Sequence, residues 1–269
     1  MISFAKAHGY GNDFLYVLAS SIAGVDLPAL ARAMCDRHAG IGADGLIAYT
    51  PEASGASMRL WNADGSRSEV SGNGVRGLAA LLARDNPAEG VTLTIQTEAG
   101  PKTLRRTLVE GSRQTFRAAM GAPTNIAQTR LDAGGEQVDL VVLNIGNPQA
   151  LVLGPLPDDE RFLRLGAALE RHPFFPDRTN VEFVEVMSPE EIRIRIWERG
   201  VGPTTSSGTG SCASLVAAAA FGGARRSANV AAPGGAQDVE WLDDGVYLTG
   251  WAEVICEGEY LAEVPRAAG

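Results

Sequence analysis

The sequence contains few of the residues that several common kinds of chemistry require. Among its 269 residues there are only three cysteines and three histidines. Neither set has the spacing of metal ligands or of a disulfide framework, so we predict no metal site and expect reduced thiols. The cysteines are Cys35, Cys212 and Cys256, and the histidines are His8, His38 and His172.

Long apolar runs and an excess of positive charge are also missing. The most apolar stretch, residues 212–221, is far too short to cross a bilayer. The first residues, Met1 to Lys6, do not form a charged segment followed by an apolar one, so no secretory signal is predicted. The formal net charge is −9 and the isoelectric point is near 4.9, which argues against nucleic acid or an anionic membrane as a partner. We therefore expect a cytoplasmic protein.

The sequence does contain one four-residue glycine-rich motif that occurs twice. Ser71-Gly72-Asn73-Gly74 recurs as Ser207-Gly208-Thr209-Gly210, an offset of 136 residues from Ser71 to Ser207. Gly11-Asn12 recurs as Gly146-Asn147 at an offset of 135 residues. Several landmarks with nearly one offset, close to half the chain, indicate a duplicated domain. We predict one half over residues 1–120 and the other over 121–269, with the last strand able to pack back on the first half.

The hydrophobic pattern predicts many strands and two pairs of helices. One helix of each pair is amphipathic, at residues 29–37 and 161–171. The other helix of each pair, at 78–83 and 213–221, is apolar on nearly all sides, which indicates burial within a sheet. Strands are predicted at residues 1–20 around a loop at Gly9 to Asp13, and at 46–49, 58–62, 92–96, 103–108, 115–119, 138–143, 181–186 and 192–197.

Each copy of the glycine-rich motif comes directly before a predicted buried helix. The loop amides then lie at a helix N-terminus, where the N–H groups and the helix dipole favour a carboxylate or a phosphate. Glycine lets the backbone approach such a ligand closely because it has no Cβ. No Gly-Lys-Ser/Thr follows the glycines, and no dinucleotide fingerprint is present. Two such loops predict one small anionic ligand held between two helix N-termini.

Eight stretches of the chain resemble the diaminopimelate epimerase family, in family order and over nearly the whole length. They begin at His8, Gly40, Asn62, Gly72, Gly146, Asn180, Glu198 and Gly208, and read HGYGNDF, GIGADG, NADGS, GNGVR, GNP, N, ERGVG and GTGSCA. The resemblance implies an α/β fold of two pseudo-symmetric domains. Each domain would be a mostly antiparallel or mixed β-sheet wrapped around a central buried helix, with the active site in the cleft between them.

The resemblance also implies a cofactor-independent enzyme that converts LL- to meso-diaminopimelate in lysine and peptidoglycan biosynthesis. By position, Gly72, Asn73, Gly208 and Thr209 would offer backbone N–H groups to the reacting α-carboxylate. Arg199 suits the distal carboxylate because its guanidinium binds carboxylates in a bidentate manner. The residues expected to line the site with it are Asn12, Asn62, Asn147 and Asn180. A homodimer is expected from the resemblance alone.

The chain departs from the family at the positions that move the proton. Where the family has two cysteines, this chain has Ser71 and Ser207, and where the family has a histidine it has Gln149. Glu198, the carboxylate that assists one of the two positions, is retained. A serine hydroxyl is a far weaker acid than a thiol, so its alkoxide is scarcely populated without a neighbouring base. Catalysis by Ser71, Ser207 and Glu198 is therefore expected to be slow.

Other routes to the same chemistry have little support in the sequence. A pyridoxal phosphate Schiff base needs a lysine, and the chain has only Lys6 and Lys102. We interpret Lys6 as solvated at a strand end and Lys102 as part of a turn, so no cofactor is predicted. Cys212 follows Ser207 by five residues on the buried helix, and we do not expect it to replace the base.

Four functions remain compatible with the residues. The first is a diaminopimelate epimerase that works with serines. The second is a related isomerase or dehydratase that acts on another small carboxylate with a more acidic proton. The third is an amino-acid-binding homologue without turnover, and the fourth is a variant in which two cysteines were changed to serine. We favour the first because the matched binding positions extend over nearly the whole chain.

Overall fold

The computed structural model describes residues 1–261. The chain forms two compact units, one made of residues 1–118 together with the segment that begins at Trp251, and the other of residues 119–250. Both changes from one unit to the other fall inside strands, within Arg113–Gly121 and within Gly245–Tyr260. Each unit therefore takes part of both strands.

The first unit contains two α-helices, seven complete strands and parts of two more. The helices are α1 (Leu27–Cys35) and α2 (Gly72–Ala83). The strands are β1 (Ile2–Gly9), β2 (Asn12–Leu18), β3 (Gly45–Glu52), β4 (Gly55–Asn62), β5 (Arg67–Ser68), β6 (Thr92–Thr97), β7 (Gly100–Glu110), β8 (Arg113–Gly121) and the later half of β17 (Gly245–Tyr260). A 3₁₀ turn at Ala19–Ile22 precedes α1. The sheet runs in the order β8, β7, β6, β4, β3, β2, β1, β17, and a pairing of β17 with β8 closes it.

The second unit repeats this plan. Its helices are α3 (Asp159–Glu170) and α4 (Gly208–Ala217), and α4 ends in a π turn at Ala218–Gly222. The strands are β9 (Thr124–Ala133), β10 (Glu136–Asn144), β11 (Pro148–Leu153), β12 (Asn180–Ser188), β13 (Glu191–Glu198), β14 (Gly202–Thr204), β15 (Ser227–Ala232), β16 (Gly235–Leu242) and the first half of β17. The sheet order is β9, β10, β11, β12, β13, β15, β16, β17.

Strand pairing shows the duplication directly. In the first unit β2 pairs with β3 and β4 with β6 in parallel, while β1 with β17, β1 with β2, β3 with β4, β6 with β7 and β7 with β8 are antiparallel. In the second unit the parallel pairs are β11 with β12 and β13 with β15, which stand at the same places in the order. In each unit the second helix follows a short strand, β5 or β14, and is enclosed by the sheet. The fold predicted from the resemblance is confirmed.

The helices α2 and α4 are buried because their sequences offer no polar face to solvent. Leu78, Ala79 and Ala80 of α2 have no exposed surface, and neither do Cys212, Ala213 and Leu215 of α4. Gly77 allows the closest approach in the first unit, because a Cβ there would lie 2.2 Å from the Tyr16 hydroxyl oxygen. That hydroxyl donates to the Gly74 carbonyl oxygen at 2.9 Å and anchors α2 on β2.

Two interpretations of lysine are wrong. Lys6 is not solvated at a strand end: its Nζ donates to the Gly42 carbonyl at 2.6 Å and lies 2.9 Å from Asp13 Oδ2. Lys102 does not lie in a turn but within β7, where it pairs with Ile95 of β6. The hydrophobic pattern also did not predict β5, β9, β11, β14, β15 or β16, and it gave no bounds for the last strand, β17, which is 16 residues long.

No helix within residues 1–261 is long and apolar enough to cross a membrane. Cys212 is buried on α4, as expected from its periodicity.

Candidate active site

The two serines of the repeated motif, Ser71 and Ser207, hold equivalent positions. They are the N-caps of α2 and α4. Ser71 Oγ accepts a hydrogen bond from the Gly74 N–H at 3.2 Å, and Ser207 Oγ accepts one from the Gly210 N–H at 3.1 Å. Both serines have extended backbones, with φ/ψ of −129/125° and −144/124°. Each hydroxyl is half-buried at a helix N-terminus. This is the environment in which a negative charge on oxygen is stabilised by the helix dipole.

The first two amides of each helix are suited to bind an anion. They belong to Gly72 and Asn73 in α2 and to Gly208 and Thr209 in α4. Amides at these two positions have no acceptor within the helix itself. Four of the predicted site residues therefore present backbone N–H groups at two helix N-termini, which is the geometry expected for carboxylate binding.

In the first unit, asparagine side chains connect α2 to the loop between β1 and β2. Asn73 Nδ2 donates to Asn12 Oδ1 at 3.2 Å, and Asn12 Nδ2 donates to Asp44 Oδ2 at 2.7 Å. The Arg76 guanidinium, which is 1% exposed, donates to Asn73 Oδ1. The side chain of Asn73 is thus held from both sides, and the structure brings Asn12 and Asn73 together.

A charged cluster supports this arrangement. Arg37 binds Asp13 Oδ1 at 2.7 Å and Asp44 Oδ1 at 2.9 Å, and Lys6 pairs with the other oxygen of Asp13. Burial alone would raise the pKa of Asp13, but the bonds from Arg37 and Lys6 outweigh it and hold that pKa below its usual value. Asp13 therefore stays ionised, and Asp44 Oδ2 accepts from Asn12 Nδ2 and keeps the Asn12 amide oriented.

The turn before Asn12 has an unusual backbone. Tyr10 and Gly11 connect β1 to β2 with φ of 58° and 84°. A positive φ at both central residues is the signature of a type I′ hairpin turn, in which an aromatic residue is strained. The Tyr10 ring is buried against Trp251 at 4.7 Å, which compensates for this strain and fixes the start of β2.

Asn62 ends β4 and makes local bonds. Its Nδ2 donates to Ser66 Oγ at 3.0 Å, and its backbone N–H donates to the Ser66 carbonyl at 2.8 Å. Asn62 stands opposite Gly45 in the β3–β4 register. Asn62 lies at the same end of the sheet as Asp44, whose carbonyl accepts from the Ala63 N–H at 3.0 Å.

In the second unit, a chain of amide side chains leads to α4. Gln149 Nε2 donates to Asn147 Oδ1 at 2.6 Å, and Asn147 Nδ2 donates to Thr209 Oγ1 at 3.4 Å. Asn180 Oδ1 accepts from the backbone N–H of Arg199 at 2.8 Å. The structure therefore brings Asn147 to the first turn of α4 and Asn180 to the turn that carries Arg199.

Glu198 and Arg199 lie where β13 ends. The register continues from Val181 opposite Trp197, so Glu198 projects on the same face of the sheet as Asn180. The Arg199 side chain is exposed, and its Nη1 donates to the Asp177 carbonyl at 3.1 Å. The next residue is anchored by a buried carboxylate, because the Gly200 N–H donates to Glu170 Oε1 at 3.0 Å.

Sequence reasoning missed Glu182, which is fully buried on β12. One of its carboxyl oxygens lies only 2.6 Å from the place where Gly210 would carry a Cβ, so it lies directly under the first turn of α4. Burial raises the pKa of Glu182 well above its usual value, and the charge of Glu198 adds to the effect. An inward position in an otherwise apolar strand, Val-Glu-Phe-Val, was the signal that strand alternation offered.

Within the described residues, no group of three or more His, Cys, Asp or Glu side chains is arranged to hold a metal ion. Of the two lysines, Lys6 is engaged by Asp13.

Comparisons with known proteins give the family of this chain. The family described as diaminopimelate epimerase matches residues 4–126 and 141–255. The diaminopimelate epimerase of Desulforudis audaxviator is 41% identical over 278 residues, covering 97% of this chain and 99% of that protein. The one from Pelotomaculum thermopropionicum is 37% identical over 274 residues, covering 96% and 98%.

A solved structure supports the fold. A predicted epimerase from Pseudomonas aeruginosa superposes with a TM-score of 0.75 at 16% identity, covering 98% of this chain and 100% of that one. The chain belongs to the diaminopimelate epimerase family. The resemblance found in the motifs is thereby confirmed, together with the expected class of enzyme, an isomerase.

Proposed function

We propose that this protein is an epimerase that converts LL-diaminopimelate to meso-diaminopimelate without a cofactor. The observation that carries the proposal is 41% identity over 97% of the chain to a diaminopimelate epimerase. The two serine-capped helix N-termini support it, because each supplies N–H groups for a carboxylate. An α-carboxylate that receives such bonds is stabilised further as its α-carbon loses a proton and charge moves onto the carboxylate oxygens.

The binding roles follow from position. The backbone N–H groups of Gly72, Asn73, Gly208 and Thr209 would hold the reacting α-carboxylate. Arg199 would bind the distal carboxylate, with its backbone fixed by Asn180. The side chains proposed to hold the remaining polar groups of the substrate are those of Asn12, Asn62, Asn147 and Asn180.

Ser71, Ser207 and Glu198 are the proposed catalytic residues. Ser207 takes the α-proton while its own hydroxyl proton passes to Glu198, and Ser71 gives a proton to the carbanion. The negative charge that remains on Ser71 Oγ is stabilised by the Gly74 N–H and the N-terminus of α2. A proton returned through solvent from Glu198 to Ser71 completes the cycle. Because a hydroxyl is a much weaker acid than a thiol, we expect turnover to be slow.

The experiment that tests the function is an assay of meso product by chiral separation after incubation of the protein with LL-diaminopimelate. Ser71→Ala is the matched control, since it removes a proposed acid and leaves the second unit unchanged. Meso product that forms with the wild type and not with Ser71→Ala supports the proposal. Absence of product while calorimetry detects binding would instead support an amino-acid-binding protein.

We further propose that the protein acts in the cytoplasm on this amino acid, as a homodimer. Sedimentation velocity of the purified protein tests the oligomeric state, and a single species with the mass of one chain would contradict the dimer.

A further inference from the structure

The last residue of α3, Glu170, is a buried carboxylate that joins three segments of the second unit. Its side chain is 3% exposed. Glu170 Oε2 accepts from Trp197 Nε1 at 3.0 Å, and Oε1 accepts from the Gly200 N–H at 3.0 Å. The Glu170 backbone carbonyl accepts from the Thr179 N–H at 3.3 Å. One residue therefore fixes the end of β13, the turn after it and the segment before β12.

The hydrogen bonds to Glu170 hold its carboxylate in one position. Burial alone would raise the pKa of Glu170, but the bonds from Trp197 and Gly200 and the charges of Arg171 and Arg178 outweigh it and lower the pKa. A buried carboxylate is tolerated where its hydrogen bonds are made, and it is costly when one of them is lost. The positions of the Trp197 ring and the Gly200 amide are therefore linked through Glu170.

The face of α3 that ends in Glu170 is fitted to the Trp197 ring. Phe162, Gly166 and Glu170 are spaced by four residues and so lie on one face of the helix. The Phe162 and Trp197 rings are 6.1 Å apart, and a Cβ on Gly166 would lie 2.6 Å from Trp197 Cε3. The end of β13 is therefore packed on α3 as well as hydrogen-bonded to it.

Arg199 lies in a turn that is held at two successive amides. The Arg199 N–H donates to Asn180 Oδ1 at 2.8 Å, and the Gly200 N–H donates to the Glu170 carboxylate. Gly200 has a φ of 78°, a conformation that favours glycine. Because the two acceptors belong to β12 and α3, the turn is fixed to two elements besides its own strand.

The Arg199 guanidinium contacts a segment that Glu170 also holds. Arg199 Nη1 donates to the Asp177 carbonyl at 3.1 Å. The next residue, Arg178, has its Nη1 3.5 Å from Glu170 Oε1, and the Thr179 N–H that follows donates to the Glu170 carbonyl. The backbone and the side chain of Arg199 therefore both rest on segments that are anchored at Glu170.

In the first unit, an exposed arginine makes the contact between helix and turn. The offset of 136 residues relates the turn at Asp64 to the turn at Gly200. Arg32 of α1 donates from Nη1 to the Asp64 carbonyl at 3.5 Å. The fold can therefore join this helix to this turn through a side chain other than a carboxylate. The buried carboxylate belongs to the repeat whose turn carries Arg199.

We infer that Glu170 is a positioning residue: it holds the turn from which Arg199 binds the distal carboxylate, and so sets the preference for a ligand that has this group. The inference rests on the proposed function for the identity of the ligand. A purely structural role for Glu170 would change the affinity for all ligands of the site alike, whereas a positioning role changes the affinity for those with a distal carboxylate.

The test is calorimetry with LL-diaminopimelate and with L-lysine, which is the same molecule without the distal carboxylate. Glu170→Gln replaces one acceptor oxygen by a nitrogen that cannot accept. It should lower the affinity for LL-diaminopimelate about tenfold and leave that for L-lysine within about twofold. Glu160→Gln, the same change at the exposed start of α3, is the matched control and should keep both affinities. An equal loss for both ligands, or no loss for either, would overturn the inference.

Hydrogen exchange of the free protein, followed by mass spectrometry, tests the anchoring without a ligand. Residues 199–201 should exchange about tenfold faster in Glu170→Gln, more than the rest of the second unit, and should not change in Glu160→Gln. Glu170→Asp keeps the charge but draws the carboxylate back by one methylene, so it should have the same effects and replaces Glu170→Gln if that variant does not fold. Unchanged exchange would overturn the inference. If the wild type binds neither ligand while the exchange result holds, the proposed function fails and the anchoring of the turn by Glu170 stands.

Discussion

Ser207 Oγ accepts the Gly210 N–H at 3.1 Å, and this bond closes the first turn of the helix on which the second half of the site is built. The Ser207 carbonyl also accepts the Ser211 N–H at 3.0 Å, as the Ser71 carbonyl accepts the Val75 N–H at 2.8 Å. Each serine therefore has a structural role beside any chemical one. Serine is among the best residues at an N-cap.

The capping role predicts a loss of stability that is separate from activity. Ser207→Ala should lower the free energy of unfolding by about 1 kcal/mol, because the Gly210 N–H loses its acceptor. Ser207→Asp keeps an acceptor at the N-cap and should be close to the wild type. Urea unfolding measures both, and equal stability of the alanine variant and the wild type would contradict the capping role.

The burial of Glu182 predicts that the free energy of unfolding decreases as pH rises. Burial raises the pKa of Glu182 well above its value in the unfolded chain, so the folded state holds a proton that the unfolded state has lost. This stability is fully present below about pH 4 and decreases by about 1.4 kcal/mol per pH unit until the folded pKa is reached. The melting temperature of Glu182→Gln should therefore rise relative to the wild type from about pH 5 upward. Glu185→Gln serves as the control, and a flat difference for Glu182→Gln would contradict the buried neutral acid.

The hydrogen bonds that Glu170 accepts predict the opposite pH dependence of the free energy of unfolding. Burial alone would raise the pKa of Glu170, but bonds from Trp197 Nε1 and the Gly200 N–H outweigh it and lower the pKa. The wild type should be more stable than Glu170→Gln by about 2 kcal/mol at neutral pH. That advantage should disappear as pH falls through the lowered pKa, below about pH 4. Thermal unfolding with exposed Glu160→Gln as control measures it, and a difference that grows on acidification would count against an ionised Glu170.

Arg199 predicts a difference between two substitutions that retain the fold. The Arg199 backbone N–H donates to Asn180 Oδ1, which fixes the turn that carries the residue. The Arg199 side chain is exposed. Arg199→Ala should abolish calorimetric binding of LL-diaminopimelate, and Arg199→Lys should weaken it about tenfold or more because a lysine cannot bind a carboxylate through two parallel bonds. Melting temperatures should stay near the wild-type value. Unchanged affinity in Arg199→Ala would remove Arg199 from the distal carboxylate.

The sequence predicts the fold well where two signals coincide. The repeated motif predicts the positions of both central helices, α2 and α4, and their apolar composition predicts burial inside a sheet. The bounds of β17 were not predicted, because its outward positions carry mixed residues and its later half pairs with the distant β1, which local periodicity does not record.

The site is predictable in part for a similar reason. The serines and loop amides follow from local sequence, since an N-cap and a helix start are local features. Lys6 and Glu182 depend on partners from other elements, Lys6 on Gly42 and Glu182 on Gln149 and Gly210. Composition and spacing alone do not reveal these contacts, nor the burial that raises the pKa of Glu182.

The most direct test of the account is the incorporation of solvent deuterium at the α-carbon of LL-diaminopimelate in D₂O, followed together with meso product. The wild type should give slow exchange and meso product. The Ser71→Cys/Ser207→Cys double variant should be faster by about 10²-fold or more, because a thiolate forms near neutral pH. No exchange in either protein, with binding still measured by calorimetry, would contradict epimerisation at these two positions.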